Sequence, residues 1–239
     1  MSGTPTASEL TAAVARFGPF FALETHPRGT GPDEVWQPLS VPLLAARVAA
    51  VGDRLAMAGG LPPGAVEPRV AASVTHLGLA ARLLSPALAV AVLYGRVLAP
   101  RLTDLRWQQV IGAPVPLSMP DDVVLDTPVD VRADELSRRL LDGPLRELAA
   151  LMGEFSLSRH ILWGNTASAV NGAATMIAAS RPDLAQRTRA LTARLFDQPP
   201  LLGAGATRDG VFRRRSCCLI YRAAPGGRGP VCGDCVLAR

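Results

Sequence analysis

Apolar residues recur along most of this chain at spacings of three and four, the pattern of helices with one face turned to a core. The first such stretch runs from Ser8 to Phe17, with Ser8 as its cap, and ends at Gly18-Pro19. Pro42–Met57 is a second, closed by Gly59-Gly60 and the Pro62-Pro63 break. Between Arg69 and Leu84 the residues Val70, Val74, Leu77, Ala81 and Leu84 share a face, and Pro86 is placed to open a further helix reaching about Val97. Helical patterning resumes over Arg132–Met152, interrupted at Gly143-Pro144. Arg159–Ala179 follows, with Trp163, Ala167, Val170, Ala174 and Ile177 on one side. A last helix is entered through Pro182 and shows Leu184, Thr188, Leu191 and Leu195 on its face.

The texture differs between Leu105 and Val131. There Trp107, Val110, Ile111, Val115, Leu117 and Val123 to Leu125 are separated by Gly112, Pro114, Pro116 and Pro120, which predicts short strands confined to sheet edges. The expected fold is mainly α, or α+β with a small β-ribbon insertion. A helical body would occupy residues 1–205, with short strands around 105–131, and a cysteine-rich C-terminal module residues 206–239.

Composition sharpens this picture at two points. The chain is 49% hydrophobic but only 5% aromatic, so its core must be built from Ala, Leu and Val. The formal net charge is +5, all of its cations being arginine. From Ala206 onward seven Arg stand against Asp209 and Asp234, so the excess of the whole chain resides in its tail. A body balanced in charge lacks the basic stripe of a nucleic-acid binder, and no nucleic-acid partner is expected. Met1–Phe17 has neither the basic start nor the apolar run of a secretory leader. The most apolar stretch, Leu83–Gly95, would span about 20 Å as a helix against roughly 30 Å of bilayer hydrocarbon, so no integral membrane segment is predicted. A cytoplasmic protein with reduced thiols is the expectation.

All four cysteines lie in this basic tail, as Cys217-Cys218 and Cys232-Gly-Asp-Cys235. Four thiols in one loop-rich segment are enough to surround a metal centre. Tetrahedral zinc, a two-iron centre and disulfides are the three chemistries open to them. Adjacent side chains tend to diverge in extended chain, which makes Cys217 and Cys218 awkward ligands for one ion and better suited to a longer two-iron centre. Disulfides are disfavoured by the compartment.

The stretch Arg213-Arg-Arg-Ser-Cys-Cys-Leu-Ile-Tyr-Arg222, then Pro225-Gly-Gly and Cys232-Gly-Asp-Cys235, resembles the C-terminal signature of the FhuF-type ferric-siderophore reductases. The spacer here, Leu219–Val231, is slightly longer than that family's. Upstream, Ser73-Val-Thr-His-Leu-Gly-Leu-Ala-Ala-Arg82 with Ser85-Pro86, and Leu162-Trp-Gly-Asn165 with Ala167-Ser-Ala, look similar to body segments of such proteins. The resemblance implies a [2Fe–2S] cluster held by Cys217, Cys218, Cys232 and Cys235. It implies reduction of a ferric siderophore, with electrons from an external flavoprotein or ferredoxin-like donor.

In that reading Arg213, Arg214, Arg215 and Arg222 set the electrostatics of the cluster, their charge favouring its reduced form. His76, Arg82, Trp163 and Asn165 are candidate substrate contacts, each weighed against an ordinary role in packing or capping. No strand–Gly-x-Gly-x-x-Gly–helix unit occurs, hence the external donor. Two further classes stay open: a zinc-stapled interaction module, and a siderophore-binding iron–sulfur protein without catalysis.

Overall fold

Thr6 accepts a hydrogen bond from the Glu9 amide while the Glu9 carboxylate reaches back to the Thr6 amide, a reciprocal cap that starts helix α1 (Ala7–Ala15) two residues earlier than Ser8 would. The computed structural model describes residues 5–128, 130 and 132–238. Val129 and Val131, at the end of the expected strand region, and Arg239, counted in the tail charge, lie outside the described residues. After α1 come strand β1 (Glu24–His26) and helix α2 (Val41–Ala58), which is capped by Ser40. Helix α3 (Pro68–Tyr94) leads into β2 (Arg96–Leu98) through Gly95, whose positive φ of 72° ends the helix. Strands β3 (Arg106–Trp107), β4 (Leu117–Pro120) and β5 (Val124–Asp126) follow. Helix α4 (Arg132–Leu136) widens into a π turn at Ser137–Leu141 before α5 (Pro144–Gly153). The chain then forms α6 (Arg159–Ser180), α7 (Ala185–Phe196), and strands β6 (Gly205–Arg208) and β7 (Val211–Arg214).

Two features depart from the sequence expectation. Arg69–Leu84 and the stretch after Pro86 are one helix of 27 residues, with Pro86 inside it. Proline removes one intrahelical donor, a local cost of ~3 kcal/mol in an exposed helix. Here Leu83, Leu84, Ala87, Leu88 and Val90 to Val92 are all buried, and the packing they gain holds the axis together across that position. The strands around 105–131 likewise form no self-contained ribbon. β4 is the middle strand of a sheet ordered β1-β4-β3, parallel to β1 and antiparallel to β3, while β5 pairs with β2. The insertion thus stitches the beginning of the chain to the end of α3.

α3 and α6 pack against each other at the centre, and α1, α2, α5 and α7 surround them. α3 is long and apolar enough to cross a membrane, its most apolar 18-residue window having a mean hydropathy of 1.8. Yet 72% of that window is buried inside the protein, so its apolar surface is covered by its own neighbours. Arg82 projects from α3 as a buried clamp. Its Nε donates to the Val115 carbonyl at 2.5 Å and its Nη1 to the Pro19 and Phe20 carbonyls at 2.9 Å.

Candidate metal centre

Asp209-Gly210, both at positive φ (52° and 77°), form the two-residue turn between β6 and β7. Strand alternation in β7 then exposes Val211 and Arg213 and buries Phe212 and Arg214. Phe212 stacks on Phe196 of α7 with ring centres 5.2 Å apart, which seats the hairpin on the body.

Arg214 enters the body beside α6. Its Nη2 donates to Asn165 Oδ1 at 2.7 Å and its Nε to the Ser216 carbonyl at 2.6 Å. The amide nitrogen of Asn165 donates in turn to the carbonyl and hydroxyl of Ser73 on α3, at 2.9 and 3.1 Å. Ser216 Oγ donates to the His160 carbonyl at 2.7 Å. A Cβ on Gly164 would overlap Ser216 Oγ and come within 3.0 Å of Arg214 Nη2, so glycine permits this approach. His76 is fully buried with both ring nitrogens unpartnered, and burial with the nearby Arg214 charge lowers its pKa to about 3. Arg214 forms no ion pair among the described residues, and its Nη1 is buried without a partner. A buried guanidinium left in that state is costly unless an anion sits within reach.

The anion is to be sought at the cysteines. The β7 edge holds the Cys232–Cys235 turn in place: the Arg214 amide donates to the Asp234 carbonyl at 3.0 Å, and Arg213 Nη1 to the Gly233 carbonyl at 2.5 Å. The Cys235 amide closes the turn on the Cys232 carbonyl at 3.1 Å. The sulfurs of Cys218 and Cys232 lie 3.4 Å apart, well beyond the ~2.05 Å of a disulfide bond, and all four thiols are free. Cys217 Sγ accepts from the Leu219 amide and Cys235 Sγ from the Leu237 amide, each at 3.2 Å. Leu219 reaches that position through a left-handed backbone (φ 69°).

Burial raises the Cys217 thiol above its ordinary value. Burial and the Cys218 thiol push Cys232 up to about 12, with Arg214 drawing both down. The metal-free Cys217 and Cys232 thiols therefore hold their protons at neutral pH, and a metal must displace them. Four soft sulfurs, two backbone N–H groups aimed at sulfur and a buried guanidinium with one nitrogen unpartnered fit an anionic thiolate-ligated centre. Among the described residues no group of three His, Cys, Asp or Glu side chains is already gathered around one point.

Residues 214–237 match the model of the FhuF 2Fe-2S C-terminal domain. The chain carries a FhuF-type [2Fe–2S] domain at its C-terminus. Its cofactor is a [2Fe–2S] cluster, for which Cys217, Cys218, Cys232 and Cys235 are the available thiolates. No curated protein matches the chain. The matched span begins at Arg214, the residue that anchors this FhuF-type tail to the body.

The remaining sequence candidates separate by burial. His76, Arg82 and Asn165 were expected as substrate contacts, but they are at most 3% exposed and closed off from solvent. Arg82 clamps loops, Asn165 fixes Arg214, and His76 packs beside it. Trp163, 8% exposed, lies in the wall of a cleft between α6 and the tail. The four arginines expected to act together are in four different settings. Arg214 is buried, Arg213 braces the Cys232–Cys235 turn, Arg215 is exposed, and Arg222 pairs with Glu67 at the start of α3 at 2.5 Å. Sequence reasoning passed over Ser73, Gly164 and Ser216 as working residues, although two of them fall inside the body segments that carried the resemblance.

Proposed function

We propose that this FhuF-type chain is a ferric-siderophore reductase of the cytoplasm, fed with single electrons by an external flavoprotein or ferredoxin-like donor. When bound, the [2Fe–2S] cluster supplies the one electron that converts chelated Fe(III) to Fe(II). Cys217, Cys218, Cys232 and Cys235 would hold it, and the Leu219 and Leu237 amides stabilise negative charge on two of the sulfurs. The observation that carries the reading is Arg214: a buried cation held by Asn165 and Ser73, within reach of the Asp234 charge but in no salt bridge among the described residues. Such a charge favours the more negative state of whatever stands beside it. Four free thiols suit a reducing compartment. No general acid or nucleophile is required of the protein, because a hard-oxygen chelator holds Fe(II) far less tightly than Fe(III).

Metal analysis and optical absorption of the purified protein test the first step. Two irons and two sulfides per chain, with visible charge-transfer bands, are expected; one zinc and no colour would end the proposal. Stopped-flow oxidation of the reduced protein tests the second. Ferric siderophores should oxidise it faster than unrelated oxidants of similar potential, and equal rates would leave an iron–sulfur protein that is no reductase.

A further inference from the structure

A cleft of about 560 Å³ opens between the start of α6 and the tail, large enough for a ligand of drug-like size. Arg159, His160 and Trp163 form one side on successive turns of α6, and Arg146 reaches it from α5. Arg215 and Ser216 line it from the tail, and Ser216 directly precedes Cys217. Among the described residues no acidic side chain lines the cleft. Arg159 and Arg215 are exposed and form no ion pair among the described residues, whereas Arg146 leans on Asp142. Three guanidiniums and an indole thus line one open space that reaches the tail at Arg215 and Ser216, just before Cys217.

We propose that this cleft seats the chelated iron, and that it selects polyanionic, catechol-type ferric chelates over neutral hydroxamate-type ones. The inference rests on the reductase reading above and adds the place and the charge class of its substrate. Guanidinium groups bind anionic oxygens with charge-assisted hydrogen bonds, and a neutral chelate offers them little. The small part of Trp163 that reaches the cleft adds an aromatic contact for the rings of a catechol chelate. The cleft adjoins Ser216, so an occupant sits next to the segment that bears the cysteines.

The test uses redox-inert gallium analogues, so that binding is read apart from electron transfer. Cluster-bearing protein is titrated by calorimetry with gallium tris-catecholate, with a neutral gallium trihydroxamate and with inorganic phosphate. The tris-catecholate should bind at least ten-fold more tightly than either, with affinity falling steeply as salt rises. Arg159→Gln with Arg215→Gln should weaken the tris-catecholate ten-fold or more and leave the trihydroxamate unchanged. Arg159→Gln alone, remote from the cysteines, should give a smaller loss in the same direction even if the double variant loads poorly. Equal affinity for the neutral chelate, or wild-type affinity in both variants, overturns the proposal. Phosphate binding as tightly as the chelate reduces the cleft to a general anion site and overturns it too. A colourless protein without iron defeats the reductase reading instead, a result legible from the absorption spectrum before any chelate is added.

Discussion

Arg214 and Asn165, 49 residues apart in sequence, meet at 2.7 Å, and through this bond the tail that bears the cysteines is fastened to the N-terminal part of the central helix pair. Asn165 satisfies two masters, donating to Ser73 while accepting from Arg214. Asn165→Ala leaves a buried cation and two Ser73 acceptors short of partners, a loss of about 2–4 kcal/mol. Urea denaturation should show the midpoint falling with the slope unchanged. Asn165→Asp should behave differently: it keeps an acceptor for Arg214 and cancels that charge, but it sets a carboxylate oxygen against the Ser73 carbonyl and so recovers only part of the loss. If the aspartate variant is as unstable as the alanine one, the bond does not carry the load assigned to it.

The same geometry separates three adjacent arginines that look alike in sequence. Reduction adds one negative charge, so removing a nearby cation must lower the midpoint potential. For a buried charge several ångströms away at an effective dielectric constant near 20, the effect is about 1.5–2 kcal/mol, on the order of 60–90 mV for one electron. Arg214→Gln should show a drop of that size in protein-film voltammetry, and Asn165→Asp should show part of it. Arg213→Gln and Arg215→Gln, whose side chains face solvent, should shift the potential far less because water screens them. Equal shifts at all three positions would mean that net tail charge, not the buried guanidinium, sets the potential.

These distinctions were only partly legible in the sequence. The helices were readable because Ala, Leu and Val recur at helical spacing, and the cysteines because four thiols stand in an otherwise cysteine-free chain. Pro86 misled, since a proline after an apolar helical run reads as a boundary. Only the depth of burial of Leu83 to Val92 shows why the helix passes through it. Strand partners were hidden for another reason: β1 and β4 pair across more than 90 residues, and strands of three or four residues carry no record of their mates. The burial of Arg214 had a signal that was not used. Asp209-Gly210 marks a hairpin turn, and counting from it at period two buries Phe212 and Arg214 and exposes Arg213.

Gly164 offers a test in which local and tertiary effects oppose each other. Alanine is the better helix former by about 1 kcal/mol in a helix interior. Its Cβ, however, would overlap Ser216 Oγ, and displacing that hydroxyl breaks its bond to the His160 carbonyl at a cost of ~1 kcal/mol. Gly164→Ala should therefore change global stability little while loosening the cysteine segment, seen as faster loss of cluster absorbance to a chelator. Ser216→Ala alone removes the same hydrogen bond. The two substitutions together should cost less than their sum, because the hydroxyl that the new methyl strikes is gone. Strict additivity would show that the tail does not rest on this glycine.

His76 gives the body a pH dependence whose direction is fixed by its burial. Burial first, and the Arg214 charge second, lower its folded pKa from 6.5 to about 3. Above pH 6.5 the imidazole is neutral in both folded and unfolded chains and contributes no slope. Below that value the unfolded chain takes up a proton that the folded one refuses, so stability is lost as pH falls from about 6.5 toward 3. Each unit in that window costs at most ~1.4 kcal/mol, and about 2 kcal/mol is gone by pH 5. His76→Leu, which fills a similar volume and cannot titrate, should flatten the curve by that amount between pH 7 and 5. The other two histidines, His26 and His160, are common to both proteins and cancel in the difference. Parallel stability curves for wild type and His76→Leu would mean that the unfolded chain gains no proton advantage at this position, and the buried, neutral His76 would have to be abandoned.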